Sequence, residues 1–240
     1  TMRAVVYDFT ESRSGQHPRS FFGHGTERAW KGGLVCDDYS GYKALFLDGG
    51  ITEVGCMAHA RRKFVELHLA NKSTLAATAI ELIGQLYGIE REVKNLPAEE
   101  RLRERRTRAA PVAQALHRWL LEYRPKVPDG SATARAMDYS LNRWAALTRY
   151  LDDPMLPIDN NHDEQQIRPW ATGRKNWLFA GTLLAGQRAA AIMSLIQTAK
   201  LNGHDPYAYL RDVLQRLPTQ RVSSIDELLP HRWTESSAHC

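Results

Sequence analysis

IDNNHDEQQIRPWATGRKNWLF, residues Ile158–Phe179, is the stretch on which the reading of this chain turns. Asp159, Asn160 and Asn161 are favoured helix N-caps, because their side-chain oxygens accept from the amides left open at a helix start. The following NHDEQQIRPW supports about two helical turns. Glu164, Ile167 and Arg168 then share a face at i, i+3 and i+4. Pro169 lacks an amide hydrogen and disfavours helical geometry at Arg168, so it is expected to end or kink that helix. Gly173-Arg174-Lys175-Asn176-Trp177 is expected to form a mobile cationic loop running into the apolar Trp177-Leu178-Phe179. Two readings of Glu164 stand side by side. It can complete a capping box with Asn161 beside a merely solvated loop. Alternatively, a carboxylate held on a helix beside a cationic loop is an arrangement that metal-dependent phosphate chemistry can use.

Composition sets the frame for that choice. The 240 residues suffice for one large domain or a core with a substantial insertion. Hydrophobic content of 43% and charged content of 25% are ordinary for a soluble globular chain. No run approaches the roughly 18 to 20 apolar residues of a membrane span, so no membrane location is expected. Cys36, Cys56 and Cys240 are too few and too scattered for a disulfide framework, which fits a reducing, cytoplasmic setting. A net charge of +5 permits a polyanionic partner without requiring one.

Working outward, Arg3–Phe9 has the β-branched and aromatic make-up of a strand. The sequence enters it in mid-flow, which suggests a fragment of something longer or an altered start. Leu34-Val35-Cys36-Asp37-Asp38 is a short apolar run ending in two acids. Tyr39–Leu47 is expected to be helical, Ile51–Cys56 a strand, and Met57–Ala70 a helix rich in basic residues. This alternation argues for an α/β core. After Lys72 the period becomes helical throughout. Residues 73–95 form one amphipathic helix, 97–123 a helix or a broken pair, and 131–151 another helix. The mixed-sign run EERLRERR, residues 99–106, reads as a solvated face. Further helices are expected at Leu184–Leu201 and after Asp205-Pro206, the latter with Tyr209, Leu210, Val213, Leu214 and Leu217 inside. The chain thus divides into a first core part (1–71), an all-helical insertion (72–153), a second core part carrying Glu164 (154–202) and a helical C-terminal segment (203–240).

Several residues could carry chemistry. Asp37 ends a strand-like run, and in open α/β sheets ligands gather at the carboxyl ends of strands. Asp38 could serve instead, or simply begin the next helix. Asp8, at another strand end, is from the residues alone the natural third carboxylate beside Asp37 and Glu164. Three such acids could hold two magnesium or manganese ions for phosphoryl transfer. Cys56-x-x-His59 invites a zinc reading, but a structural site needs about four ligands and no second cysteine pair exists. His59 can contact a phosphate or help with protonation, or be a polar residue satisfied by the backbone. Arg61, Arg62 and Lys63 follow it, and arginine offers a planar fork to phosphate oxygens.

The strings SRSGQHP, GGLVCDDYSGY, CMAHARRKF, DNNHDEQQIRPWATGRKNWLF, SLIQTAKLNGHDPYAYLRDVL and IDELLPHRW resemble, in this order, the DDE transposases of insertion sequence 66. The resemblance implies a ribonuclease-H-like core, incomplete here at its N-terminus, with a helical insertion before the last acid. It also implies cleavage and strand transfer at transposon ends with Mg2+ or Mn2+. By the same resemblance Asp37 is the second catalytic acid and metal ligand and Glu164 the third. Cys56 and His59 match the family's Cys-x-x-His, with His59 supporting the acids. In that family the first acid lies in an Asp-Glu-Thr motif on an earlier strand. That motif does not occur here, so Asp8 is a poor substitute and impaired catalysis is expected. Expected partners are DNA, both transposon ends and target, contacted by Arg61, Arg62, Arg174 and Lys175. A second copy or a full-length transposase is a further expected partner. The competing reading is a non-catalytic DNA-binding remnant that modulates a full-length transposase; a helical scaffold unrelated to nucleic acid is a third.

Overall fold

Gly32–Cys36 (β1) and Ile51–Gly55 (β2) pair in parallel, with Gly32 opposite Ile51 and Cys36 opposite Gly55. Parallel strands cannot be closed by a tight hairpin. A 3-10 helix at Ser40–Phe46, with Leu45 buried, makes the crossover. The computed structural model describes residues 3–47, 49–177 and 180–234, and of residues 174–177 the backbone alone. The chain is predominantly helical with this small parallel sheet, a make-up consistent with an α/β fold.

Residues Ser14–Asp163 form one compact unit. A short helix, α1 (Gln16–Phe21), precedes β1. Helix α2 (Met57–Asn71) leaves β2 directly and buries Met57, Ala60, Phe64 and Leu67, an apolar stripe at helical spacing. Lys72 closes it in the left-handed region, its amide donating to the His68 carbonyl. Helix α3 (Thr74–Val93) is capped by Ser73, whose side chain accepts from the Ala76 amide, and buries Ile83, Leu86 and Val93 in a core shared with α2. Then follow α4 (Ala98–Glu104), a π turn at Arg105–Ala109, α5 (Ala110–Tyr123), α6 (Ala132–Asn142) and α7 (Trp144–Thr148). Phe64, Ile83, Leu116, Leu120, Met137 and Leu147 meet in one core. Each such side chain contributes about 1.5–3 kcal/mol on removal from water.

The helical block seats directly on the sheet. A Cβ built on buried Gly55 would stand 2.9 Å from the Leu147 nitrogen and 3.1 Å from the Ala146 carbonyl carbon, both backbone atoms of α7. Glycine here is a matter of space rather than of dihedral freedom.

Residues 1–13 and 164–240 form the second unit. Helix α8 (Asn161–Trp177) has its first three residues in the former unit and the rest in this one. Helix α9 (Leu183–Leu201) is capped by Thr182 and α10 (Pro206–Arg216) by Asp205, whose carboxylate accepts from the Ala208 amide at 2.8 Å. A 3-10 helix at Val222–Leu228 completes a small core of Ala199, Tyr209, Val213, Leu228 and Trp233. The Tyr209 hydroxyl donates to the Leu228 carbonyl at 2.8 Å.

Five expectations need correction. Arg3–Phe9 is not a paired strand: no strand lies beside it among the described residues. Its backbone bonds instead to side chains of α9 and its cap. The Val5 amide donates to Thr198 Oγ1 at 3.0 Å, and the Tyr7 amide to Ser194 Oγ at 2.8 Å. Asn202 Nδ2 donates to the Arg3 carbonyl at 2.9 Å. Strand composition describes a fit to a pleated neighbour, and without one the amides take whatever polar partner is near.

Pro169 does not end α8, and Gly173–Trp177 is helical rather than a loop. A proline removes one ladder bond, and the turns on either side carry the helix past it. The Tyr7 hydroxyl donates to the Gln166 carbonyl one turn before the proline, adding a tertiary bond there. Residues 131–151 are two helices and a 3-10 turn, not one helix, with the break at Arg143. Leu214 of α10 and its C-cap residue Leu217 are 66% and 47% exposed rather than inside. Tyr209 and Val213, four residues apart, already fill the narrow face that this small core can cover. The apolar run Trp177-Leu178-Phe179 lies outside the described residues, apart from the backbone of Trp177.

Candidate functional site

Asp37 is the first residue past β1, at the carboxyl edge of the strand pair, and is half-buried. Its Oδ1 accepts from the Tyr39 amide at 3.1 Å, a local turn that turns the chain off the sheet. The neighbouring acid is in a different state. Asp38 Oδ1 is held by Arg143 Nη1 at 2.7 Å and Lys43 Nζ at 2.8 Å. Burial opposes ionisation of Asp38, but the bonds from Lys43 and Arg143 outweigh it and lower its pKa. Two adjacent acids are thus sorted by their partners, Asp38 into a structural ion pair and Asp37 toward the edge of the sheet.

Arg143 is the centre of that sorting. Only 4% of its side chain is exposed, and its Nη2 also meets Glu53 Oε1 at 3.0 Å and the Cys36 carbonyl at 3.3 Å. It therefore bridges the end of β1 and the middle of β2 from the break between α6 and α7. Lys43, half exposed, contributes about 0–1 kcal/mol through such a pair. Removing the buried guanidinium would cost more, because Asp38 and Glu53 would keep only the half-exposed Lys43 between them and the Cys36 carbonyl would lose its donor. The Tyr139 ring lies under this cluster, 4.6 Å from Lys63 Nζ and 5.7 Å from the Arg143 guanidinium carbon. Burial pushes its phenol up to about 12.

Gly55, opposite Cys36, hands the chain to Cys56 and the start of α2 at the same edge. His59 sits half-buried in the first turn of α2, its amide donating to the Cys56 carbonyl at 3.2 Å. Burial raises both cysteine thiols, Cys36 up to about 11. Among the described residues no three His, Cys, Asp or Glu side chains gather into a metal-holding cluster.

The same edge receives the start of α8. The Met57 amide donates to the Ile158 carbonyl at 3.0 Å. Asp159 organises the next turn: Oδ1 accepts from the Asn161 amide at 3.1 Å, while Oδ2 takes Asn161 Nδ2 and the Tyr87 hydroxyl, each at 2.7 Å. Of the three expected caps, Asp159 does this work. The Asn160 Oδ1 is buried with no hydrogen-bond partner among the described residues. Glu164 is the fourth residue of α8. Asp8 belongs to the other unit, in the extended segment, beside Gln187 and Ala191 of α9.

Arg61 and Arg62, two and three residues beyond His59, line a groove of about 550 Å³ with Gly84, Tyr87, Arg91 and Asn161. The structure brings these two arginines to one surface. The side chains of Arg174 and Lys175, in the last turns of α8, lie outside the described residues. Sequence reasoning missed Arg143, Tyr139 and Arg91. Arg91 left a trace, since Gly84, Tyr87 and Arg91 follow one another at helical spacing; Arg143, at a helix break, left none.

The arrangement is that of a helical protein built on a parallel strand pair, with an acid at its carboxyl edge and a basic helix leaving that edge. The chain belongs to the family described as Transposase IS66 family, which it matches over residues 1–188, and it matches the IS66 C-terminal element over residues 194–231. Two curated relatives come from Sinorhizobium fredii (strain NBRC 101917 / NGR234). The uncharacterized protein y4jD is 36% identical over 238 residues, covering 96% of this chain and 46% of its own length. The uncharacterized protein y4hP is 35% identical over 252 residues, covering 98% of this chain and 45% of its own. The chain thus spans about half the length of the curated relatives it matches. No solved structure is significantly similar to it.

Proposed function

We propose that this chain is part of the catalytic region of an insertion-sequence transposase, with a ribonuclease-H-like core interrupted by the helical block, and that it acts on transposon ends and target DNA. Family membership supports a transposition-related role. The observation that carries the finer reading is the divided state of the two acids after β1. Arg143 and Lys43 occupy Asp38, whereas Asp37 stands at the sheet edge where α/β folds place their ligands.

Asp37, with Glu164 of α8, offers carboxylate oxygens, the hard donors that Mg2+ and Mn2+ prefer over the soft sulfur of Cys36 and Cys56. A bound divalent ion would activate the attacking water or 3′-hydroxyl and stabilise the leaving oxygen of the phosphodiester. In this reading His59 supports the acids from the first turn of α2. Arg61, Arg62, Arg174 and Lys175 neutralise DNA phosphates and hold the backbone in place. The 240-residue polypeptide offers the second and third acids of the family pattern, so by itself it is expected to cut DNA feebly or not at all. A second copy or a longer transposase is its proposed partner.

The test is Mn2+ titration of the purified chain followed by electron paramagnetic resonance, alongside nicking of supercoiled plasmid. Asp37→Asn and Glu164→Gln should each weaken Mn2+ binding by tenfold or more and leave the melting temperature almost unchanged. Unaltered Mn2+ binding in Asp37→Asn would remove the metal assignment. Vigorous nicking by the chain alone, lost in Asp37→Asn, would keep the chemistry and discard the impairment. The groove of arginines favours a second reading, a DNA-binding modulator of full-length transposase. Retention of DNA without metal, undiminished in Asp37→Asn, would select it.

A further inference from the structure

We propose that the groove between α2 and α3 is a track for a DNA phosphodiester backbone, and that Arg91, from the helical block, is one of its phosphate ligands. This rests on the DNA reading above and adds a site and a residue to it. Three of the residues lining the groove are arginines, Arg61 and Arg62 from α2 and Arg91 from α3, and none is Asp or Glu. Several other arginines of the block are engaged within the fold. Arg105 pairs with Glu90, Arg124 with Asp138, and Arg143 with Asp38 and Glu53, while Arg101 donates to three backbone carbonyls. Arg61 and Arg91 have no carboxylate partner among the described residues. The Asp159 carboxylate beside the groove is taken by the Tyr87 hydroxyl and Asn161 Nδ2, so an anion lying between the two guanidinium groups would relieve their mutual repulsion.

The shape fits a strand of nucleic acid rather than a small anion. The volume of about 550 Å³ is open to the surface and exceeds what one phosphate fills. Gly84 keeps it clear: a Cβ built there meets nothing within 4 Å, so any larger side chain would project into open space. Tyr87 adds an aromatic wall, its hydroxyl held by Asp159 Oδ2 at 2.7 Å. Position along the helix supplies the link to chemistry. Arg61 is four residues past Met57, about 6 Å along α2 from the sheet edge that carries Asp37. A backbone lying in the groove is thereby led toward that edge, with arginine forks on both banks.

The experiment uses the 240-residue chain and a short fluorescein-labelled DNA duplex of arbitrary sequence, with anisotropy measured across a salt series. Each lost phosphate contact should flatten the salt slope by about one and weaken binding roughly tenfold near 0.1 M salt. Arg91→Gln is expected to do this, and Arg118→Gln, an exposed arginine of α5, to do neither. Gly84→Leu keeps every charge and improves helix propensity, so its fold is not in question; it should weaken binding by filling the groove. Equal losses in Arg91→Gln and Arg118→Gln, or full binding by Gly84→Leu, would overturn the track while leaving the DNA reading intact. A wild-type chain that binds no DNA at low salt would overturn both.

Discussion

Arg143 shows how one side chain can decide the role of its neighbours. It is nearly all buried and holds Asp38, Glu53 and the Cys36 carbonyl together at the carboxyl edge of the strands. Arg143→Met keeps much of the volume but leaves Asp38 and Glu53 with Lys43 alone, and we expect a loss of about 1.5–3 kcal/mol in chemical denaturation. Arg143→Lys should recover part of it, since one ammonium cannot span all three acceptors. A loss below about 1 kcal/mol in the methionine variant would mean that the cluster is solvated. The pair of acids, Asp37 and Asp38, was legible in the sequence, and so was the position after a strand. Which of the two is engaged was not, because Arg143 lies 105 residues from Asp38 and reaches it only through the packing of the helical block.

At the scale of elements, the contact between α7 and β2 is the joint on which the helical block depends. Gly55 is the only residue type that lets the α7 backbone approach so closely, with Leu147 N at 2.9 Å from a built Cβ. Gly55→Ala should therefore cost about 1–3 kcal/mol through overpacking, read as a lowered denaturation midpoint with an unchanged slope. A neutral effect would show that α7 can shift without loss. Helical elements were largely legible, because α2 and α3 repeat their apolar residues at a helical period. Arg3–Phe9 was misread for a physical reason: extended backbone is a request for a partner, and the sequence names no partner. Of the two outcomes expected at Pro169, an end to the helix did not occur, because the turns on either side and the Tyr7 bond carry the helix past it.

Over the whole molecule, each of the two compact units carries at least one buried tyrosine. Burial pushes Tyr139, in the unit of residues 14–163, and Tyr209, in the other, up to about 12. Between an ordinary phenol value near pH 10 and about 12, the unfolded chain releases these protons while the folded chain keeps them. The unfolded state then binds fewer protons, so stability falls as pH rises through that window. Phenolate absorbance should therefore lag in native protein and rise together with loss of helical circular dichroism. A smooth titration complete before any helix is lost would show that both hydroxyls reach water in the native state.

What the sequence by itself determined is the family, the helical periodicity of most of the chain, and the acids and arginines available for chemistry. Those depend on residue identity and on spacings of three or four residues. Only the tertiary structure decided that Asp38 is spent on Arg143, that Asp159 rather than Asn160 organises the start of α8, and that Arg91 joins Arg61 and Arg62 across a groove. Each of these depends on which distant groups are left facing one another once the apolar stripes have been buried, and that arrangement is set by packing of the whole unit rather than by any local run of residues.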